Sequence, residues 1–478
     1  MPIAFSGRRK TLRLAALAVA FGSLVAAGGR AKAATILVTT LDDSDVADAD
    51  CSLREAIVAA NGDAAHQGCG AGNGPDRIEF GVEGTILLGS DLPIVIKDLV
   101  LAGPPLAPDR LPALVINGGD HRMFVLDGMP DGRTLTVLRL TLREGSHPTG
   151  GGCVRFNDGD RLVVADSRMT ACRTDGIGGA IFGKNGASLT MRRSSLAGNL
   201  GADFAGALYF LGEGSDDPVT PPTATFVIED STFSGNQAEL NGGGVVTGYA
   251  NGEIRRSTLS GNSTLDAGGG LLVIYGYVTV DQSTITGNTA DADDDDAEEA
   301  GGGLYVVGDG NVPATVALHS TVIGGNFQDF GQPSDVAAGE AGAILSDGFN
   351  LIGVRDGASQ FFVVGSPNAN DDWVGSRVSP VLAGLAALED NGGPTKTNAP
   401  SPGSLLVDHG NCPGELRDQR GFGDLTTLRR PVDQALIPDS SDGCDIGAFE
   451  ADGVELPAAL FLDGFESGDT GAWSSAVP

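Results

Sequence analysis

Four carboxylates, Asp166, Glu229, Asp230 and Asp281, stand just ahead of a recurring serine, on segments that come together if the segments stack. Clustered carboxylates, with or without calcium and a basic residue, perform the acid–base steps of polysaccharide cleavage. Arginines share these positions, however. Immediately before the serine the residues read Asp166, Arg193, Asp230 and Arg256, and one residue earlier they read Arg192, Glu229, Arg255 and Asp281. Unlike charges opposed on neighbouring strands help by roughly 0.2–1 kcal/mol and like charges are unfavourable, so the alternation reads as a ladder of ion pairs. A carboxylate held by arginine has a lowered pKa and is a poor general acid at neutral pH. No residue is therefore assigned as catalytic, and none is singled out as contacting a ligand.

Two other groups of residues have chemical potential. The stretch DADDDDAEEA (291–300) places Asp293, Asp294, Asp295 and Asp296 in a run of seven acids within nine residues. Dense carboxylates supply some of the oxygens that calcium prefers, but the stretch lacks the glycine turn and spaced ligands of an EF-hand. The expectation is a solvated loop with weak calcium binding at Asp293–Asp296, and no other cofactor. Six cysteines form three near pairs in sequence order, Cys51 with Cys69, Cys153 with Cys172, and Cys412 with Cys444, among the fifteen connectivities that six cysteines allow. With no C-x-x-C and with His66, His121, His147, His319 and His409 scattered, disulfides are expected rather than a metal site. Cys153 and Cys172 fall at different corners of their repeat.

The elements that carry these residues are repeats. Segments like Ser-x-x-x-Gly-Asn begin at Ser167, Ser194, Ser231, Ser257, Ser283 and Ser320, at intervals of 27, 37, 26, 26 and 37, and Leu140 marks a further unit 27 residues before Ser167. A period of 26–27 built from short β segments is the signature of a solenoid. Period-two alternation precedes each serine, as in Leu162/Val164, Leu189/Met191, Phe226/Ile228 and Val278/Val280, with the last unit slipping by one to Val316/Leu318. Asn199, Asn236, Asn262, Asn288 and Asn326 are expected to stack at one corner, hydrogen-bonding their copies and tolerating left-handed backbone there. Glycines at 242–244, 268–270 and 301–303 suit tight turns and close packing of rungs. They do not suit a phosphate cradle, since no helix follows them. Insertions fall at EGSDDPVTPPT (213–223) and at the acidic stretch 291–300.

Composition agrees with this. Of 478 residues 73 are glycine, only 5% are aromatic and 19% are charged. Residues 1–33 read as an export signal: Arg8, Arg9, Lys10 and Arg13 precede an apolar run from Leu14 to Ala27, and Ala31-Lys32-Ala33 is a small-x-small cleavage site that would start the mature chain at Ala34. The general and twin-arginine export routes both remain open. The leader carries six Lys/Arg and no acid, so the mature chain has 24 basic and 62 acidic residues, a net charge of −38. Such a surface repels nucleic acid and anionic lipid and suits a neutral or basic partner. No later stretch offers about 18 uninterrupted apolar residues, so no transmembrane helix is expected in the mature chain.

FSGN (233–236) and GGAI (178–181) resemble the repeats of polymorphic outer membrane proteins, and the array as a whole resembles the right-handed parallel β-helix of the pectin lyase class. CSLREAIVAAN (51–61) resembles the CSLREA domain found ahead of such helices. DNGGPT (390–395), GSLLVDHG (403–410), DQRG (418–421), RRP (429–431) and CDIGAFE (444–450) resemble the choice-of-anchor Q region. The expected fold is thus all-β, a right-handed parallel β-helix with an N-terminal cap and a disulfide-closed C-terminal region. The expected divisions are a signal at 1–33, a CSLREA-like cap with the first coils at 34–130, repeats at 131–360, a choice-of-anchor Q-like region at 361–450 and a tail at 451–478. A helix at Leu53–Ala60 would cover the first rung, and a loop closed by Cys412 and Cys444 would protect the other end, at roughly 3–4 kcal/mol of loop-closure entropy. The expected role is adhesion or carbohydrate binding at the cell surface or beyond it, with a carbohydrate or a surface protein as partner and the oligomeric state open. The alternative is a polysaccharide lyase or glycoside hydrolase on the same fold.

Overall fold

The computed structural model describes residues 33–126, 132–212, 224–292, 301–309, 312–328, 331–415, 417–421 and 441–451. The export signal up to residue 32, the insertion at 213–223, Asp293–Asp296, the RRP motif and the tail from 452 lie outside the described residues.

Period-two alternation sends Leu162, Val164, Leu189, Met191, Phe226 and Ile228 into one continuous core, where all are fully buried. Successive units stack in register and in parallel: Leu162 pairs with Leu189, Leu189 with Phe226, Phe226 with Gly252, Gly252 with Val278 and Val278 with Val316. Among the described residues three long sheets of 17, 11 and 8 strands result, and in the 17-stranded sheet a coil supplies either two strands, such as Ile181–Lys184 and Ser188–Arg192, or one long one, such as Val245–Arg255. The chain is a parallel β-helix whose parallel pairing runs from Thr35–Val38 to Trp373–Val374. Gly252 stands where an aliphatic residue is usual because a Cβ there would lie 2.1 Å from the Phe226 ring.

Two polar ladders run inside the corners. The Oγ of Ser167 accepts from the Leu140 amide at 3.2 Å, and Ser194, Ser231, Ser257 and Ser283 repeat the contact to the coil before. The next member is Thr321, which accepts from the Ser283 amide at 3.3 Å. The expectation of Ser320 and of a one-residue slip is corrected by this: Val280 pairs with Leu318 in unbroken register, and it is the serine position that moves to a threonine.

In the second ladder Asn199, Asn236, Asn262 and Asn288 each donate from Nδ2 to the Oδ1 of the next asparagine at 2.8–2.9 Å, and that same oxygen accepts their backbone amide. The left-handed backbone expected at these asparagines belongs instead to the glycines before them, Gly198, Gly235, Gly261, Gly287 and Gly325. The residues before the serines, Asp166, Arg193, Asp230 and Arg256, are left-handed as well. The asparagine is present for its amide, and the glycine makes the turn.

All three sequence-neighbour disulfides form. Cys172 takes the first place of the asparagine ladder, where its amide donates to Asn199 Oδ1 at 2.9 Å. Cys153 pairs through the coils with Ala180, Ala207 and Gly244, and a Cβ at Gly244 would lie 3.2 Å from the Asn262 amide. These two corner positions face each other across the interior, which is why their cysteines can bond.

The helix Leu53–Gly62 starts at a capping box in which Ser52 and Glu55 satisfy each other's backbone amides. Its face of Leu53, Ile57 and Ala60 is buried in the same core as the first strands, Thr35–Val38 and Asp76–Phe80. At the far end the expectation changes. The chain beyond Val374 does not stop at the last coil but returns along the flank of the 11-stranded sheet. Gln419 bonds the hydroxyls of Thr232 and Thr258 at 2.8 and 2.7 Å, and the Ala448 amide donates to Thr284 Oγ1 at 3.0 Å.

Replacing Asn262 by alanine strands the Asn236 amide groups and breaks the ladder at its centre. At about 1–3 kcal/mol for each buried group left unpaired, urea unfolding should register a loss of at least 2 kcal/mol. Alanine at the exposed Asn370 should cost less than half as much.

Candidate functional site

The charged positions ahead of the serines pair as expected except at Asp281. Arg193 holds Asp166 through two bonds of 2.7 and 2.8 Å. Arg192 Nε lies 2.7 Å from Glu229, Arg255 closes on the other oxygen of Glu229, and Arg256 Nε lies 2.8 Å from Asp230. Asp281 accepts no arginine and is paired with His319 Nδ1 at 2.8 Å. The returning C-terminal segment lies over this row: Glu415 reaches Arg256 at 3.1 Å, Thr395 donates to the Asp230 carbonyl at 3.1 Å and Asn411 exchanges hydrogen bonds with Ser320. Asp230 and Arg256 are left 4% and 2% exposed.

Electrostatics separate the two adjacent acids. Burial alone would raise the Glu229 carboxyl, but the Arg255 hydrogen bond and charge, with Arg192 and Arg256, outweigh it and hold Glu229 below its ordinary value. Asp230 departs from the expected lowering. Its deeper burial outweighs the pull of Arg256 and Arg417 and raises its pKa. Arg192, Arg255 and Arg256 balance Glu229, Asp230 and Glu415, so the cluster is a neutral clasp between coils and covering segment. The four carboxylates fall in three ion-paired groups along the stack, at Asp166, at Glu229 with Asp230, and at Asp281.

A different surface escaped the sequence analysis. The chain has five tyrosines, and all five lie on four successive strands of the 17-stranded sheet. Tyr209, Val246, Leu272 and Tyr305 are in register, on the face opposite the core residues Leu208, Val245, Leu271 and Leu304; Val246 and Leu272 are themselves buried in a small second cluster, and Tyr209 and Tyr305 pack half-buried at its two ends. Leu211, Gly248, Ile274 and Val307 form a second outward row beside them. Tyr249 and Tyr275 occupy the left-handed bend of neighbouring coils with ring centroids 4.4 Å apart, and Tyr277 follows at 43% exposure. Four strands at about 4.8 Å spacing make the strip roughly 14 Å long. No charged side chain stands in either row between Tyr209 and Tyr305. The available signal was the restriction of every tyrosine to residues 209–305, with Tyr249 and Tyr275 one repeat apart.

Among the described residues no group of three or more histidine, cysteine, aspartate or glutamate side chains is placed to hold a metal ion. No described helix is long and apolar enough to cross a membrane. Comparison with known proteins finds no matching family model, no matching curated protein and no matching solved structure.

Breaking the clasp on one side is costly because it leaves an uncompensated buried charge. Arg256→Met should destabilise the protein by about 3–5 kcal/mol in urea unfolding, and adding Asp230→Asn should recover much of that loss. Because Glu229 is lowered in the folded state, its contribution is complete above the ordinary carboxylate value of 4.5 and fades as pH falls through its folded pKa. Glu229→Gln should therefore flatten the acid limb of the stability profile.

Proposed function

We propose that the protein is an exported carbohydrate-binding β-helix that acts at or outside the cell surface, in adhesion, without cleaving its ligand. The observation that supports this reading best is the tyrosine flank. Tyrosine offers a flat apolar face with a hydroxyl at its rim, the combination that suits the alternating C–H and O–H surfaces of a sugar ring. An uncharged strip on a chain with 62 acidic residues favours a neutral glycan, since a polyanion would be repelled by the surrounding surface. Three disulfides among the described residues agree with an oxidising compartment. The CSLREA-like and choice-of-anchor Q-like segments point the same way by resemblance.

The catalytic alternative needs a carboxylate free to meet a polymer. Glu229 and Asp230 are spent on arginines beneath the returning segment, and Asp166 and Asp281 are paired with Arg193 and His319. Nothing in that arrangement favours turnover, and calcium at Asp293–Asp296 is not needed for the binding reading.

A glycan array read in parallel for binding and for new unsaturated or reducing ends tests the proposal. Binding of a neutral polysaccharide without product is expected. Tyr277→Ala and Tyr305→Ala should each weaken it about tenfold, in the range set by truncating an aromatic contact residue. Asp166→Asn should leave it unchanged. Product formation abolished by substituting Asp166, Glu229, Asp230 or Asp281 would replace this reading with the enzymatic one.

A further inference from the structure

Asp76 is a buried acid that has no counterion among the described residues. It is 2% exposed, at the start of the strand Asp76–Phe80, beside the first strand Thr35–Val38. Its Oδ1 accepts two backbone amides, from Asn73 at 2.9 Å and from Ala34 at 3.1 Å. Its Oδ2 is buried and has no hydrogen-bond partner among the described residues. That oxygen fits only because residue 72 is glycine, since a Cβ there would lie 2.4 Å from it. Nearby cations are committed elsewhere: Arg77 pairs with Glu79 at 2.6 Å, and Lys97 pairs with Asp63 at 2.5 Å. Asp98, the other acid alongside, has its Oδ1 taken by the Thr134 amide.

The donor at 3.1 Å is the nitrogen of Ala34, which is also the first residue after the small-x-small sequence Ala31-Lys32-Ala33. Two independent observations therefore fall on one atom. Ala33 is exposed and Ala34 half-buried, so the bond between them lies at the surface. The geometry points to a processing site at Ala33–Ala34 whose new α-ammonium is received by the Asp76 carboxylate. An export signal peptidase would add water across the peptide bond: the C–N bond breaks, Ala33 leaves as a carboxylate, and the freed amine of Ala34 takes up a proton. A single amide donor becomes an ammonium with three donors, one to retain Oδ1 and another to reach the orphaned Oδ2. The strand stays in place meanwhile, because the Ala34 carbonyl still accepts the Arg77 amide at 2.9 Å. In the unprocessed chain Asp76 meets an amide at Ala34, and no described cation reaches it. In the processed chain it is paired, so removal of the leader would itself tighten the first coil.

This inference rests on the export reading and not on the carbohydrate reading, and two measurements test its halves separately. Mass spectrometry of the exported full chain should place the N-terminus at Ala34, and any other start would overturn the assigned processing site. A chain beginning at Ala34 is then compared with one carrying a single added glycine, each with Asp76 and with Asp76→Asn. The α-amino pKa, read from pH-dependent amine labelling, should lie at least about one unit above its ordinary 7.7–8.0 in the chain beginning at Ala34. It should return to the ordinary value with Asp76→Asn. The same chain should melt about 2 °C higher than the extended one below pH 7.5, and the difference should vanish as pH rises through the folded pKa. An ordinary amine pKa, or an equal melting difference in the Asp76→Asn pair, would overturn the ion pair. Acetylating the wild-type Ala34 amine supplies the same comparison should Asp76→Asn fail to fold.

Discussion

The backbone amide at each inner corner points where its own coil has no acceptor, and the next coil answers with a side chain. Most of the architecture follows from that need, because a buried amide left unpaired costs about 1–3 kcal/mol. In one ladder a hydroxyl accepts the amide of the previous coil and donates to the carbonyl two residues before itself, as Ser194 does to Arg192 at 2.8 Å. In the other an amide oxygen accepts two donors while its nitrogen donates to the next asparagine and to a carbonyl of the previous coil, as Asn262 does to Phe233 at 3.0 Å. A ladder of acceptors must also end. The asparagine series closes on Asp335, which accepts both Asn326 donors at 2.8 Å, and the hydroxyl series passes through Asn350 to Asp372. A carboxylate ends such a chain because it accepts without requiring an acceptor of its own. Burial then pushes Asp335 up to about 7, against the hydrogen bonds from Asn326 and Val354.

The same need explains why the repeat tolerates unequal units. The intervals of 37 and 38 keep the ladder residues, the inward aliphatics and the turn glycines in register and place the extra length between them. Only those few positions are held by neighbours above and below, and the chain between them is free to lengthen.

The repeat was legible in the sequence because each stacked position has to satisfy its own copy. Serine answers serine, asparagine answers asparagine, and charges alternate because like charges cannot sit 4.8 Å apart in a row without cost. Thr321 was missed because the ladder needs a hydroxyl and the neighbouring Ser320 offers another. The left-handed backbone at Arg193 and Arg256 left no trace, since an ion-paired arginine is not a residue type that marks a turn. The returning segment was illegible for a deeper reason. Its contacts join residues such as Gln419 and Thr258 across 161 positions, through hydroxyls that read as ordinary strand threonines. No periodicity records a contact made once.

That covering segment also separates the chemistry of the two flanks. On the 11-stranded sheet the hydroxyls of Thr232, Thr258 and Thr284 are taken by Lys396, Gln419 and Ala448, and at the corner where the 17-stranded sheet meets it the arginines are taken by their own carboxylates and Glu415. On the tyrosine side the outward rows hold side chains with no charge to neutralise. Strand propensity alone would place tyrosines anywhere in the 38 strands of the described residues, and their confinement to four consecutive ones is not something β structure demands. A solenoid places equivalent side chains along its axis at the spacing of its strands, so a cluster of one residue type on one flank becomes an extended strip rather than a pocket. Such a strip suits a ligand that is itself long and repetitive, and it gives the carbohydrate reading a geometric basis that the charged flank, closed by its own ion pairs, does not provide.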